Sequence, residues 1–132
     1  MPALLETEDL KKHYRMGDTV VRALDGVSIN ISEGEFLALL GTSGSGKSTL
    51  LNLIAGLDHP TSGSLRIDGA DMASMSKEGL IRHRRQNVGM IFQSFNLVST
   101  MSALENVTLP MVFAAVPKPE RDKRAAQLLE SM

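Results

Sequence analysis

The stretch FLALLGTSGSGKST, residues 36–49, decides the fold of this chain. Residues 36–40 form a continuous apolar run, which is typical of a strand buried on both faces. Residues 41–48 match the pattern GxxxxGK[ST], in which a glycine-rich loop leads from a strand into a helix. The stretch therefore predicts a site for a nucleoside triphosphate with Mg²⁺.

The residue types in the loop explain this chemistry. Gly41, Gly44 and Gly46 allow the backbone to curl tightly, so that its N–H groups point at phosphate oxygens. The helix that begins near Ser48 adds free N–H donors and the positive end of its dipole. Lys47 supplies a charge for the β- and γ-phosphates, and the Ser48 hydroxyl is the expected Mg²⁺ ligand. The alternative is a flexible Gly/Ser turn with one surface lysine.

Composition narrows the class of protein. The 132 residues suit one domain of ordinary size. The 14 Lys and Arg residues balance 15 Asp and Glu residues, which disfavours a nucleic-acid partner. The absence of cysteine excludes disulfides. The longest apolar runs are too short to cross a bilayer, and residues 1–12 lack the apolar region of a signal peptide. We expect the chain to reach a membrane only through a partner.

Apolar periodicity predicts the elements around the loop. Before the loop, strands are expected at 4–14, where mixed apolar and charged residues suit an edge strand, and at 20–24 and 27–31, with a hairpin turn at Asp25-Gly26. Together they form an antiparallel β meander. After it, the expected elements are a helix from Ser48 to near Gly56, a strand at 64–68, a short helix within 70–87, a second buried strand at 88–92, a helix at 104–116 broken by Pro110, and an amphipathic helix at 120–132.

The order of these features resembles the nucleotide-binding domain of ABC transporters, over nearly the whole chain. Residues 89–97, followed by Ala103-Leu104-Glu105-Asn106-Val107, look like the glutamine-loop region of that family. Residues 14–27 are similar to the subgroup that serves lipoprotein release and macrolide export. Thr42 departs from the proline that this subgroup often has at that position.

The resemblance implies a fold class and a domain organisation. The fold is an α/β P-loop NTPase of ABC type, with an antiparallel β subdomain, a partial parallel core sheet and the start of the helical subdomain. Residues 1–93 are then the nucleotide-binding core. Residues 94–132 follow the glutamine loop and begin the helical subdomain.

The resemblance also implies roles for individual residues. Tyr14 takes the position of the aromatic ring that stacks on adenine, although a strand aromatic can also serve in the core. Gln93 is the expected catalytic residue, which contacts Mg²⁺ and positions water; the alternative is a surface amide. The Mg²⁺ ligands are Ser48 and Gln93. The nucleotide-binding residues are Tyr14, Gly41, Ser43, Gly44, Ser45, Gly46, Lys47, Ser48 and Thr49.

Partners and location follow from the same resemblance. The surface around Ser94–Leu104 resembles the one that docks onto a transmembrane permease subunit. Its apolar residues Phe95, Leu97, Val98 and Met101 suit that contact and suit internal packing equally. Family members form a homodimer on binding ATP. The expected location is cytoplasmic, at the inner face of the plasma membrane through partner subunits.

Three motifs of the family are absent from the sequence: the Ser-Gly-Gly signature loop, the Walker B strand ending in Asp-Glu, and the switch histidine. We therefore expect a truncated chain that binds Mg²⁺-ATP without turning it over. Residues 36–40 and 88–92 would then have unpaired backbone and exposed apolar faces, because parallel strands need neighbours and two covered faces.

The function that fits best is the ATP-binding subunit of an export complex, which energises translocation of a substrate or lipoprotein. The alternative is an ABC-like regulatory or scaffold ATPase without transported cargo. A small-molecule kinase is disfavoured, because residues 1–40 precede the loop, whereas such kinases usually begin close to it.

Overall fold

The computed structural model describes residues 3–132, in two compact units. The first unit ends at Val88 and the second begins at Gly89. The strands are β1 (Ala3–Met16), β2 (Thr19–Ser32), β3 (Ser62–Ile67) and β4 (Ala70–Asp71), and the helices are α1 (Lys47–Ile54), α2 (Lys77–Gln86), α3 (Ala103–Phe113) and α4 (Lys118–Glu130), with a 3₁₀ turn at Met72–Ser74.

The first unit contains one antiparallel sheet with the strand order β2-β1-β3-β4. A tight turn at Gly17, where φ is +62°, joins β1 to β2, so that Met16 faces Thr19 and Ala3 faces Ser32. The segment predicted as a possible edge strand is therefore an inner strand, with β2 on one side and β3 on the other. The predictions of strands at 4–14 and 64–68 are confirmed.

The predicted hairpin turn at Asp25-Gly26 is wrong. β2 runs through this dipeptide without a break. The register shifts here, because Leu10 faces Val27 whereas Lys11 faces Asp25. Gly26 has φ of +98°, so it takes up the extra residue as a β-bulge. A partner strand that continues on both sides of the bulge keeps β2 extended where the local pattern indicates a turn.

The core of the first unit lies where the sheet meets α1. Leu10 from β1, Leu65 from β3 and Leu53 from α1 are the largest side chains that are fully buried. Leu50 and Leu53 are spaced by three residues and therefore share one face of the helix. The predicted helix after the glycine-rich loop is confirmed.

Helix α2 closes the carboxyl end of α1. Its N-cap Ser76 accepts a hydrogen bond from the Gly79 amide. The buried His83 donates through Nε2 to the Ile54 carbonyl at 3.0 Å, and Arg84 donates to the Gly56 carbonyl at 2.7 Å. The first bond satisfies a carbonyl group that the last turn of α1 leaves without a partner, and the second holds the backbone just beyond the helix.

The two apolar runs predicted to be buried strands, 36–40 and 88–92, form no strand in this structure. Phe36, Leu40 and Ile91 are 94%, 92% and 98% exposed, although Leu39 packs against the core. No parallel strand pair occurs among residues 3–132. A strand with apolar residues on both sides needs neighbours at both edges and cover on both faces, and these residues have neither. The expectation of exposed apolar side chains and unpaired backbone is confirmed.

The second unit is helical. A capping box, in which the Ser102 and Glu105 side chains bond to each other's backbone amides, begins α3. Pro110 lies inside α3 without breaking it, so that predicted break is wrong. The helix ends in a Schellman motif, with Ala115 at φ +58° and the Val116 amide bonded to the Met111 carbonyl. α4 follows and confirms the predicted amphipathic helix, with Ala125 fully buried.

Candidate functional site

The glycine-rich loop is bent by two residues with positive φ, Gly44 at +81° and Gly46 at +92°. A β-carbon on Gly46 would stand 2.2 Å from the Ala23 carbonyl oxygen and 2.9 Å from Leu24 Cδ2. Only glycine therefore lets the loop lie against β2 at this point. The end of the loop, and the start of the helix after it, are fixed to the sheet.

Helix α1 begins at Lys47, and its N-cap Gly46 has no side chain to bond the amides of the first turn. Those amides and the positive end of the helix dipole face the same side as the loop, which is an arrangement suited to anions. Ser48 is exposed and Thr49 is half-buried. A hydroxyl oxygen is thus accessible on the first turn, next to the amides.

The Lys47 side chain folds back over the loop. Its ammonium nitrogen donates to the carbonyl oxygens of Gly41 at 2.8 Å and Thr42 at 2.7 Å, and it lies 3.1 Å from Ser45 Oγ. The positive charge is therefore held within the curve of the glycine-rich loop. This placement is what phosphate recognition requires of a lysine in such a loop.

Tyr14 stands near the end of β1 and is 36% exposed. Its hydroxyl donates to Asp58 Oδ2 at 2.8 Å. This hydrogen bond, partial burial and the Asp58 charge raise the pKa of Tyr14, while the Thr49 side chain acts in the opposite direction. The phenol thus lies beside the first turn of α1, and the ring is not part of the closed core.

Sequence reasoning did not find the polar cluster beneath Tyr14. Lys12 donates to Asp58 Oδ1 at 2.6 Å and to the His59 carbonyl at 2.7 Å, and its nitrogen lies 4.9 Å from the centre of the Tyr14 ring. Burial acts to raise the pKa of Asp58, but the bonds from Lys12 and Tyr14 bring it below its usual range. The partners are too far apart in sequence for any local pattern to indicate the pairing.

Gln93 belongs to the second unit and is exposed, in a segment without regular secondary structure. All other predicted site residues lie in the first unit. The predicted contact between Gln93 and Mg²⁺ stays a prediction, and so does its part in catalysis.

The loop before α3 is organised by Asn106, which sequence reasoning also missed. Its side-chain oxygen accepts from the Val98 amide at 2.8 Å, and its nitrogen donates to the carbonyls of Val98, Met101 and Ser102. Phe95 is 91% exposed and Leu97 is also exposed. These two side chains are not packed inside the second unit, and the predicted docking onto a permease stays a prediction.

A polar loop bent by glycines, a lysine held within it and a helix beginning behind it define a P-loop nucleotide-binding site. Comparison with known proteins agrees with this class. Residues 24–132 match the ABC transporter family. The chain belongs to that family and contains part of its ATP-binding domain.

Three relatives illustrate the likeness. A macrolide export ATP-binding/permease protein, MacB, of Hyphomonas neptunium is 47% identical over 131 residues, which are 99% of this chain and 20% of the relative. An uncharacterised ABC transporter ATP-binding protein of Thermotoga maritima is 45% identical over 98% of this chain and 56% of its own length. The dimeric ATP-binding cassette MJ0796, in a post-hydrolysis state bound to ADP and Pi, superimposes with a TM-score of 0.88 at 43% identity, covering 96% of this chain and 56% of that one.

The chain thus spans about a fifth to just over half of the length of these relatives. The predicted fold class, an α/β P-loop NTPase of ABC type, is confirmed by the likeness to the solved cassette. Within the described part of the chain, no helix has both the length and the apolar character that crossing a membrane requires.

Proposed function

We propose that this chain binds Mg²⁺-ATP through its glycine-rich loop. The observation that carries the proposal is the position of the Lys47 ammonium, held by the Gly41 and Thr42 carbonyls inside the loop that leads into α1, whose N-cap offers no side-chain bond to the first-turn amides. The fit of Gly46 against the Ala23 carbonyl supports it, because the loop has one shape that only glycine allows. Fixed donors around a fixed charge are what a polyphosphate needs.

Each predicted site residue has a role in this proposal. The amides of residues 43–49 surround the triphosphate, and Lys47 neutralises the β- and γ-phosphates. Tyr14 stacks on the purine base. Ser48 offers an exposed hydroxyl oxygen, the hard donor that Mg²⁺ prefers, and Gln93 offers an amide carbonyl. The bound Mg²⁺ would supply charge neutralisation at the phosphates.

The role of the whole protein follows from its relatives. An ATP-binding domain similar to those of macrolide export proteins would energise export or lipoprotein translocation at the inner face of the plasma membrane. Two such domains would close around ATP, as the dimeric form of MJ0796 suggests. The surface around Ser94–Leu104, with Phe95 and Leu97 exposed, would contact a permease subunit.

These 132 residues should bind ATP without hydrolysing it. They contain no Asp-Glu pair at the end of an apolar strand and no Ser-Gly-Gly loop. These residues therefore include no carboxylate placed to polarise the attacking water and no signature loop that could complete the site of a second subunit.

Calorimetric titration with ATP and Mg²⁺ tests the proposal. Lys47→Ala should weaken binding about tenfold or more, because a charge-assisted contact to phosphate is lost. Lys123→Ala is the matched control: Lys123 is an exposed lysine of α4, remote in sequence from the loop. Equal affinities of the wild-type chain and Lys47→Ala would refute ATP binding at this loop.

A phosphate-release assay on the same samples tests turnover. We expect no release above the background of Lys47→Ala. Release that depends on Lys47 would contradict the proposed lack of hydrolysis and leave the binding proposal intact.

A further inference from the structure

Asp58 joins Tyr14 to the segment that follows the helix of the glycine-rich loop. Asp58 lies between α1 and β3, and its two carboxylate oxygens have different partners. Oδ2 accepts from the Tyr14 hydroxyl at 2.8 Å. Oδ1 accepts from Lys12 at 2.6 Å and from the His59 amide at 2.7 Å. The carboxylate thus holds the hydroxyl end of the Tyr14 ring, although Tyr14 lies in β1 and Asp58 in the segment between α1 and β3.

Lys12 fixes the ring from a second direction. Its ammonium nitrogen lies over the Tyr14 ring, 4.9 Å from the centroid, and its side chain is only 13% exposed. Residues 12 and 14 point to the same side of β1, so the two side chains are neighbours. Lys12 therefore covers one face of the ring, and a planar ligand can stack only on the other face.

The segment that carries Asp58 is attached to β1 by bonds that do not involve the Asp58 carboxylate. The Thr61 amide donates to the Lys11 carbonyl at 2.8 Å, and the His13 amide donates to Thr61 Oγ1 at 2.9 Å. The Leu57 amide donates to the Asn52 carbonyl of α1 at 2.9 Å. Removing the carboxylate should therefore free the Tyr14 ring while the segment stays in place.

We propose that Asp58 is a positioning residue that sets the orientation of the Tyr14 ring as a platform for the nucleotide base. This inference rests on the proposed function, in which Tyr14 stacks on the base. An aromatic side chain that is already held in its binding orientation loses less rotational freedom when a ligand arrives. Asp58 therefore governs the part of nucleotide affinity that depends on the base, and Lys47 governs the part that depends on the phosphates.

The test compares ATP with inorganic triphosphate, which has phosphates and no base, both in the presence of Mg²⁺. Asp58→Ala should weaken ATP binding about three- to tenfold, because much of the stacking contribution is lost. The affinity for triphosphate should not change. Glu33→Ala, which removes an exposed carboxylate without an ion pair in the described structure, is the control and should change neither affinity.

A second variant removes the same hydrogen bond, here called the Tyr14–Asp58 tether, by changing its donor instead of its acceptor. Tyr14→Phe keeps the ring and loses only the hydroxyl that Asp58 accepts. It should lower the ratio of ATP to triphosphate affinity as much as Asp58→Ala does, and the double variant should lower it no further. Additive losses in the double variant would contradict the inference, since independent effects add.

Tyr14 is the only tyrosine and the chain has no tryptophan, so its ultraviolet absorbance reports on this one ring. The hydrogen bond to Asp58 and the Asp58 charge raise the pKa of Tyr14. Asp58→Asn keeps the shape of the side chain and removes the charge. It should lower the pKa of the Tyr14 phenol and retain more ATP affinity than Asp58→Ala. An unchanged phenol titration would show that the tether does not exist in solution.

The outcomes separate the two proposals. If the wild-type chain binds neither ATP nor triphosphate, the proposed function fails. If it binds both equally, the stacking role of Tyr14 fails. If ATP is preferred by the wild-type chain and equally by Asp58→Ala and Tyr14→Phe, only the positioning role of Asp58 is refuted.

Discussion

The sheet formed by β1 to β3 and the segment 36–40 lie in the same unit and contain leucines in quite different surroundings. Leu10 of β1 is fully buried, whereas Leu40 is 92% exposed. β1 has strands on both sides, and segment 36–40 pairs with no strand among the described residues. An apolar side chain becomes buried where the backbone that carries it can form hydrogen bonds, because unpaired backbone groups oppose burial.

The difference also concerns distance along the chain. β1 meets its antiparallel partner β2 across a tight turn at Gly17, so the pairing begins between nearby residues, Met16 and Thr19. A run that is apolar on both sides requires parallel neighbours, which come from distant parts of a chain. The contrast between these two regions can be tested by substitutions in each.

The largest expected effect comes from truncating matched leucines. Leu10→Ala should lower the free energy of unfolding of the first unit by about 2–5 kcal/mol, because it leaves a cavity in the core. Leu40→Ala should change it by less than about 0.5 kcal/mol. Urea unfolding followed by the fluorescence of Tyr14 gives both values. Similar losses in the two variants would mean that Leu40 is buried in solution and would remove the contrast.

An intermediate effect is expected at Gly46, in the loop that joins segment 36–40 to α1 and touches β2. In Gly46→Ala the new β-carbon would clash with the Ala23 carbonyl oxygen, a backbone atom of β2, and φ is positive as well. We expect a loss of about 2–4 kcal/mol and of ATP binding.

Gly44→Ala is the control for that clash. Gly44 also has positive φ, but nothing lies within 4 Å of its added β-carbon. The loss should be about 1–2 kcal/mol, from backbone strain alone. Unfolding in urea measures both variants, and equal losses would show that the contact with β2 contributes nothing.

The smallest expected effect concerns the second unit, at the carboxyl end of α3. Backbone hydrogen bonds between nearby residues end this helix, just as a tight turn between nearby residues joins β1 to β2. Ala115 has φ of +58°, which costs an alanine more than a glycine. Ala115→Gly should raise the stability of the second unit by about 0.5–1 kcal/mol, measured by amide hydrogen exchange in α3. Ala114→Gly, where φ is −82°, should instead lower it by a similar amount. Stabilisation by both variants would contradict this assignment.

Local patterns in the sequence predicted most helices and most strands of the antiparallel sheet, including β3, although its partner β1 lies far from it along the chain. The strand at 4–14, the alternating residues of β3, the helix after Gly46 and the spacing of α4 were all predicted. The turn at Asp25-Gly26 was wrong because β1 continues opposite it, and the break at Pro110 was wrong because α3 runs on to Phe113. At Asp25-Gly26, pairing with β1 decides the conformation rather than the dipeptide itself.

The residues of the candidate site also fall into two groups, those that a sequence motif predicts and those that only the folded chain brings together. The loop from Gly41 to Ser48 was predicted from its motif, since the chemistry of phosphate binding restricts the residue types at fixed spacing. The Asp58 cluster was not predicted, because β1 and the α1–β3 segment come together only in the folded chain. Tyr14 was named from its family position, and its role at the base stays a prediction; the residues that hold it were not predicted.

The hydrogen bonds that hold the Lys47 ammonium inside its own loop have a consequence for the rate and the affinity with which an anion would bind. Four methylene groups and a charged head are already confined by the bonds to Gly41 and Thr42. Confining such a flexible side chain costs up to about 2 kcal/mol, and here folding has done so beforehand. In the proposed complex with ATP, capture of a phosphate would require only a change of oxygen partners at this cation, because the side chain is already in place.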